Sequence, residues 1–294
     1  MLKILPQQFY QNPDIQKILV DGLSCMVYKN LKEPVFQKEG YVSAHALTVV
    51  LKGKLRIETQ EGSFVEVPEN KMVFLPKGIY TISDIVPSTA NFEAIVYFFE
   101  DDIIADFINS LKLKCSREKQ VSHCILHYYD NIKLFTESLR SLYSNNIKPT
   151  RELTKMKLFE LLHLLRASHD NECFTLALLT LKNKERKSLR VFMNDNYSKS
   201  LNIEDYAYLT GRSVSTFRRD FKAQFSTSPK QWLIDKRLEK AYTLLTNSHN
   251  DRTISDIAME SGFEDIPHFI KSFRKKYSIT PKQLLISSRK EVLI

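Results

Sequence analysis

An internal repeat constrains this 294-residue chain more than any other feature. Residues 217–232 read FRRDFKAQFSTSPKQW, and residues 269–284 read FIKSFRKKYSITPKQL, the same phrase 52 positions later. Upstream, at an offset of 51, Ile203, Asp205, Ala207 and Gly211 match Ile254, Asp256, Ala258 and Gly262. At an offset of 52, Phe217, Phe221, Ser226, Pro229, Lys230, Gln231 and Leu233 match Phe269, Phe273, Ser278, Pro281, Lys282, Gln283 and Leu285. The second copy gains its extra residue in the turn. The repeated unit therefore reads as helix, glycine-containing turn, helix: a helix-turn-helix written twice.

Each position has a physical reason. Asn202 and Thr253 are placed to cap a first helix, with Asp205 and Asp256 three residues on, as in a capping box. Ala207 and Ala258 are small enough for a second helix to cross closely. Gly211 and Gly262 fall where the turn calls for positive φ. Ser213 and Asp265 are candidate caps for the second helix, and Pro267 fits its first turn. At about 100° per residue, Phe217, Phe221 and Phe225 form one apolar stripe. Ser215, Arg218, Arg219 and Lys222 fall on the opposite side, as do Lys271 and Arg274 behind Phe269, Phe273 and Tyr277. A single amphipathic helix with a basic face is commonly only solvated. Two copies sharing caps, glycines and cations suit groove-reading helices, because Arg can pair bidentately with guanine and Lys or Arg can neutralise phosphate. Residues 229–247 read as one connecting helix of about 28 Å, near the ~34 Å of one DNA turn.

Charge supports a polyanion partner. The formal net charge is +9. Residues 1–182 hold 22 Lys+Arg and 21 Asp+Glu, whereas residues 183–294 hold 21 and 13. The basic excess thus belongs to the repeat-bearing third. No apolar run reaches the ~18 residues of a membrane span, and MLKILPQQFYQNPD has no long apolar core of a signal peptide. Cys25, Cys115, Cys124 and Cys173 are scattered and are expected to be reduced thiols of a cytoplasmic protein.

The first hundred residues read as short strands separated by turn signals, with Leu55 and Ile57 alternating with polar neighbours. A β-sandwich or small barrel is expected. From Asp101 the period becomes helical: DDIIADFINSL opens with acids, NIKLFTESLRSLY places Ile132, Phe135, Leu139 and Leu142 on a stripe, and RELTKMKLFELLHLLRA is leucine-rich. The stripe serves either core packing or a homodimer seam in 130–170. The charged stretch 181–190 marks a boundary. The expected fold class is α+β in two domains: residues 1–180, a cupin-like β-sandwich or barrel followed by helices, and residues 184–290, all-α, with two helix-turn-helix units joined by a long helix.

The segments IEDYAYLTGRSVSTFRRDFKAQFSTSPKQWLIDKRLEKAYTLL and TISDIAMESGFEDIPHFIKSFRKKYSITPKQLL resemble the DNA-binding domain of AraC/XylS transcriptional regulators. The second carries that family's pattern of I-x-x-I-A, G-F, F-x-x-x-F-[KR]-[KR] and T-P. The resemblance implies base contacts from Ser215, Arg218 and Arg219 in the first recognition helix and Ile266, His268 and Lys271 in the second. With the neighbouring Thr216, Lys222 and Arg274, these form the candidate DNA-binding set. Ile266 and Pro267 replace residues that are often polar, and Ser226 and Ser278 stand where glycine is common. The stretch LKGKLRIE…VPENKMVFLPKG is similar to the sensor domain of these regulators, and KLFELLHLLRA to the helix that follows it. The layout resembles the virulence-regulator branch, which includes fatty-acid-responsive and anti-activator-controlled members. The implied function is a promoter-binding regulator, most often an activator, working with RNA polymerase and controlled by a small molecule or a partner protein.

Two other functional classes make different demands on the sequence. An enzyme on a cupin-like barrel would need a metal held by several histidines and a carboxylate, but residues 1–120 contain only His45. His123, His127, His163 and His169 fall in segments read as helical, and the 123/127 pair lacks a matching carboxylate. No P-loop, GxSxG or GxGxxG is present. No catalytic residue, metal or cofactor is expected. A non-specific nucleic-acid binder would keep the basic faces without two spaced readers.

Overall fold

The computed structural model of the chain describes residues 3–59, 62–88, 90–111, 123–143, 149–169, 171–182, 186–246 and 252–291. Cys115 and Asn247 lie outside them. The backbone gathers into two units, Lys3–Lys184 and Glu185–Ile294.

The first unit contains strands β1 (Lys3–Leu5), β2 (Ile15–Asp21), β3 (Ser24–Leu31), β4 (Val35–Val42), β5 (His45–Lys52), β6 (Lys54–Thr59), β7 (Phe64–Val67), β8 (Lys71–Leu75), β9 (Gly78–Ile85), β10 (Phe92–Phe99) and β11 (Cys124–His127). Its helices are α1 (Asp101–Ser110), α2 (Asp130–Tyr143), α3 (Arg151–Ala167) and α4 (Asn171–Lys182). The strands form two sheets, ordered β1-β4-β9-β6-β7 and β11-β8-β5-β10-β3-β2. The β1–β4 pair is parallel, and β5, for example, pairs antiparallel with both β8 and β10.

Side-chain patterning explains the layering. In β6 and β7, Leu55, Ile57, Val65 and Val67 are buried while Arg56, Phe64 and Glu66 are exposed, so that sheet has one wet face. In β5 and β10 nearly every residue is buried, which requires cover on both faces. One face of the six-stranded sheet contributes Cys25, Val27, Ala46, Val50, Val73, Val96 and Phe98 to a core shared with Val42, Leu55, Ile57, Val65 and Val67 of the other sheet. The opposite face contributes Met26, Leu47, Met72, Phe74, Ile95 and Tyr97 to a core shared with the helices. The unit is therefore three layers deep: sheet, sheet, helices. The expected sandwich is present, and the helices cover its second sheet.

Several expectations shift in detail. Strand β11 lies beyond Asp101, where the sequence pattern predicts only helices; it pairs with β8 at the sheet edge. His127 is in this strand and His123 precedes it, so neither is helical. On α2, Ile132, Phe135 and Leu139 enter the core, but Leu142 is 56% exposed and Tyr143 is buried instead. A 3.6-residue period reaches position 143 after 139 and 136, and Thr136 is accordingly buried, its Oγ1 2.7 Å from Tyr97 Oη. The ends of the stretch 181–190 belong to helices on either side, Asn171–Lys182 and Leu189–Asn196.

The second unit is helical: α5 (Leu189–Asn196), α6 (Ile203–Leu209), α7 (Val214–Phe225), α8 (Pro229–Thr246), α9 (Ile254–Ser261), α10 (Ile266–Tyr277) and α11 (Pro281–Glu291). Among the described residues no helix is long and apolar enough to cross a membrane.

Candidate nucleic-acid interface

The sequence repeat is a structural repeat down to single hydrogen bonds. Asn202 caps α6 and Thr253 caps α9, each in a full capping box with Asp205 and Asp256. Ser213 caps α7 through Thr216 N–H, and Asp265 caps α10 through His268 N–H. Both second helices end on a serine in the left-handed region, Ser226 at φ 57° and Ser278 at φ 63°. Their N–H groups donate to Lys222 O and Arg274 O respectively, each at 2.9 Å. Ser228 and Thr280 then cap α8 and α11, accepting from Gln231 N–H and Gln283 N–H at 3.2 Å.

The rings anchor both helices. Phe217 and Phe221 are fully buried, and Phe221 stacks on Phe225 at 4.3 Å between centroids. Trp232 at the start of α8 closes on Phe221 and Phe225 at 5.7 and 5.0 Å. In the second copy Phe269 and Phe273 are fully buried, and Tyr277 lies 4.7 Å from both Phe273 and Tyr242, near the other end of α8. One 18-residue helix, about 27 Å long, thus receives both ring stacks.

Burying the rings turns the cations outward. Arg218, Lys222, Lys271 and Arg274 are exposed and have no side-chain hydrogen bond or ion pair among the described residues. Arg219 is also exposed, with Asp220 3.4 Å away. Ser215 and Thr216 are drawn toward the cap, their hydroxyls 3.1 and 2.9 Å from Ser213 Oγ. On α10, His268 is exposed, with Ser272 Oγ 3.5 Å from its Nε2. Ile266 is half-buried and packs against the core of the second unit. The first helix thus offers more polar reach at its N-terminal end than the second.

Three arginines outside the candidate DNA-binding set hold this arrangement. Arg190 of α5 lies over the Phe225 ring at 5.2 Å and donates to Gln224 O. Arg212 donates to Lys187 O and Thr210 O and pairs with Asp220 at 3.2 Å, pinning the first turn. The Arg212 hydrogen bond also holds the Asp220 carboxyl below its ordinary value. Arg237 of α8 donates from Nε to Tyr197 O at 2.8 Å and from Nη2 to Lys199 O at 2.9 Å. Its signal was present: it falls between Leu233 and Ala241 at four-residue steps, on a buried stripe where a charge needs partners.

No group of three or more His, Cys, Asp or Glu among the described residues could hold a metal ion. Cys25 and Cys124 are buried and form no disulfide among the described residues.

The chain matches two family models: the ExsA N-terminal regulatory domain over residues 45–176 and a helix-turn-helix domain over residues 206–286. It is 27% identical over 256 residues to the thermoregulatory protein LcrF of Yersinia pestis, spanning 85% of this chain and 92% of that one. It is 32% identical over 131 residues to the HTH-type transcriptional regulator ExsA of Pseudomonas aeruginosa, spanning 45% of this chain and 46% of that one. Among solved structures it aligns with an apo ToxT variant from Vibrio cholerae at 11% identity and a TM-score of 0.44, over 94% of this chain and 98% of that one.

Proposed function

The chain belongs to the AraC/XylS family of transcriptional regulators, and on that premise we propose that residues 184–290 read promoter DNA under the control of residues 1–180. The observation that carries this reading is the matched pair α7 and α10: rings buried against one helix, with Arg218, Lys222, Lys271 and Arg274 outward and unpaired among the described residues. In successive major grooves, Arg218 reads a base edge, and Lys222, Lys271 and Arg274 neutralise phosphates. Arg219, Ser215, Thr216 and His268 supplement the contacts. Ile266 packs inward and adds little, so the first half-site carries more of the specificity.

The named relatives LcrF and ExsA are regulators, and the matched N-terminal model is called regulatory. We read this chain accordingly as a cytoplasmic activator that engages RNA polymerase and not as an enzyme. A cavity of about 350 Å³ lies in the first unit. Its lining includes Phe9, Leu55, Ile57, Val96 and Phe98, with the Lys29–Asp84 ion pair in its wall. A small-molecule effector would seat there; a regulatory protein would bind outside. Self-association through 130–170 would use Leu134, Leu142 and Met156, at 67%, 56% and 68% exposure.

The test is a salt titration against a selected duplex and its scrambled counterpart. A regulator prefers its site by ~10³ or more. A steep salt slope with equal affinities would instead identify a non-specific binder.

A further inference from the structure

The two reading helices are tied together by more than α8. After α5 ends at Asn196, four successive carbonyls meet groups from elsewhere in the unit. Tyr206 Oη donates to Asn196 O at 2.9 Å and lies 3.2 Å from Lys199 O. Arg237 donates to Tyr197 O and Lys199 O. The remaining carbonyl, of Ser198, abuts Gly262: a Cβ built there would lie 2.6 Å from Ser198 O and 3.0 Å from Arg237 Nε. Tyr206 belongs to the first helix-turn-helix, Arg237 to the connecting helix and Gly262 to the turn of the second. All three converge on residues 196–199.

We propose that Arg237 is the positioning residue that sets the separation between the two reading helices, by locking α8 and the Gly262 turn onto the segment that follows α5. The guanidinium suits the task because its planar fork spans two carbonyls at once, and an ammonium cannot reproduce that geometry. The helix α8 alone fixes distance along its own axis. It also holds α10 through the Tyr242–Tyr277 contact and the Lys276 bond to Asp235 O, and the contact of Gly262 with Ser198 and Arg237 ties the second turn to the segment after α5 as well. Arg237 touches no nucleic acid in this role. It acts through the angle at which α10 leaves its turn. The inference rests on the two-reader function proposed for residues 184–290.

The experiment is selection of bound duplexes from a random-sequence library by the full chain and by Arg237→Gln, with melting of both followed in parallel. The wild type should return two subsites at one separation. Arg237→Gln should return the same two subsites at two or more separations. Its affinity for the fixed-separation site should fall ~10-fold, and that for a duplex carrying only the first subsite should stay within about twofold. Arg237→Lys should fall between them; it replaces Arg237→Gln as the deciding variant if the glutamine protein does not fold. A single unchanged separation in the deciding variant overturns the proposal, even if affinity drops, because the residue then serves stability alone. A wild type that selects only one subsite overturns the two-reader function itself, and the positioning role with it.

Discussion

Gly262 and Ser198 meet backbone to backbone, so closely that a methyl group on Gly262 would lie 2.6 Å from the Ser198 carbonyl oxygen. Gly262 also holds φ at +97°. Both facts demand glycine: an L-residue there pays the left-handed penalty of ~1–2 kcal/mol and must also displace backbone. Gly262→Ala should therefore destabilise the chain by more than about 2 kcal/mol. Gly62, at φ +80° with no heavy atom of the described residues within 4 Å of its would-be Cβ, is the control. There alanine should cost about 1 kcal/mol. Chemical denaturation of both variants checks the difference.

The helix ends at Ser226 and Ser278 show the opposite relation. Both serines hold the left-handed conformation that glycine adopts without penalty. Neither side chain makes a hydrogen bond among the described residues. Ser226→Gly should raise stability by roughly 0.5–1 kcal/mol, the relieved strain less glycine's extra entropy in the unfolded chain. Ser278→Gly should match it. Trp232, the chain's only tryptophan, is 9% exposed in the same unit and reports the transition.

At the interface, free Arg218 and free Lys222 should differ in kind. Arg218→Ala should cost about 1–3 kcal/mol on the selected site and relax preference at one base position. Lys222→Ala should weaken selected and scrambled duplexes alike and lower the salt slope by about one. Equal loss on both duplexes for Arg218→Ala would place that side chain on phosphate.

Much of the second unit was legible because its determinants are local. A cap, an acid three residues on, a turn glycine and rings at four-residue steps are all properties of short windows. The repeat lets each copy check the other. Arg237 shows locally only as a charge on a buried stripe, because its partners, Tyr197 and Lys199, lie some forty positions upstream. Nothing near residue 237 announces which carbonyls it meets. In the first unit, continuous burial along β5 and β10 shows in HALTVVL and EAIVYFF. The strand order β8-β5-β10-β3 does not, since pairing is settled by contacts across the whole sheet. Strand β11 has only four residues and stands among helices, too short for a period of two to declare itself.

Acid should loosen the second unit at its caps and turn. Thr253 hydrogen bonds hold Asp256 below its ordinary 3.8, and Arg212 does the same for Asp220. A carboxyl depressed in the folded state adds stability above its unfolded value and loses it as pH falls through the folded one. Trp232-detected stability should thus be level near neutrality and decline below about pH 4. The Asp220→Asn/Asp256→Asn double variant should start lower and show a shallower acid decline. An unchanged acid slope would mean that other carboxylates govern it.

The Lys29–Asp84 pair joins β3 of one sheet to β9 of the other, with both carboxylate oxygens 2.7 Å from Lys29 Nζ. Both residues are nearly inaccessible, at 6% and 4%. The ammonium also lies 5.5 and 5.3 Å from the Phe9 and Phe92 ring centroids. Taking two charges out of water gains little overall, but stranding one is costly. Lys29→Met should therefore cost about 3–5 kcal/mol, because it strands the buried Asp84 carboxyl without its partner. Adding Asp84→Asn should restore a large part of it, because the second change removes the stranded charge. Circular dichroism of the β-rich unit during denaturation separates the cases. A double variant no more stable than Lys29→Met would show that the lysine acts through its packing on the two rings and not through its charge.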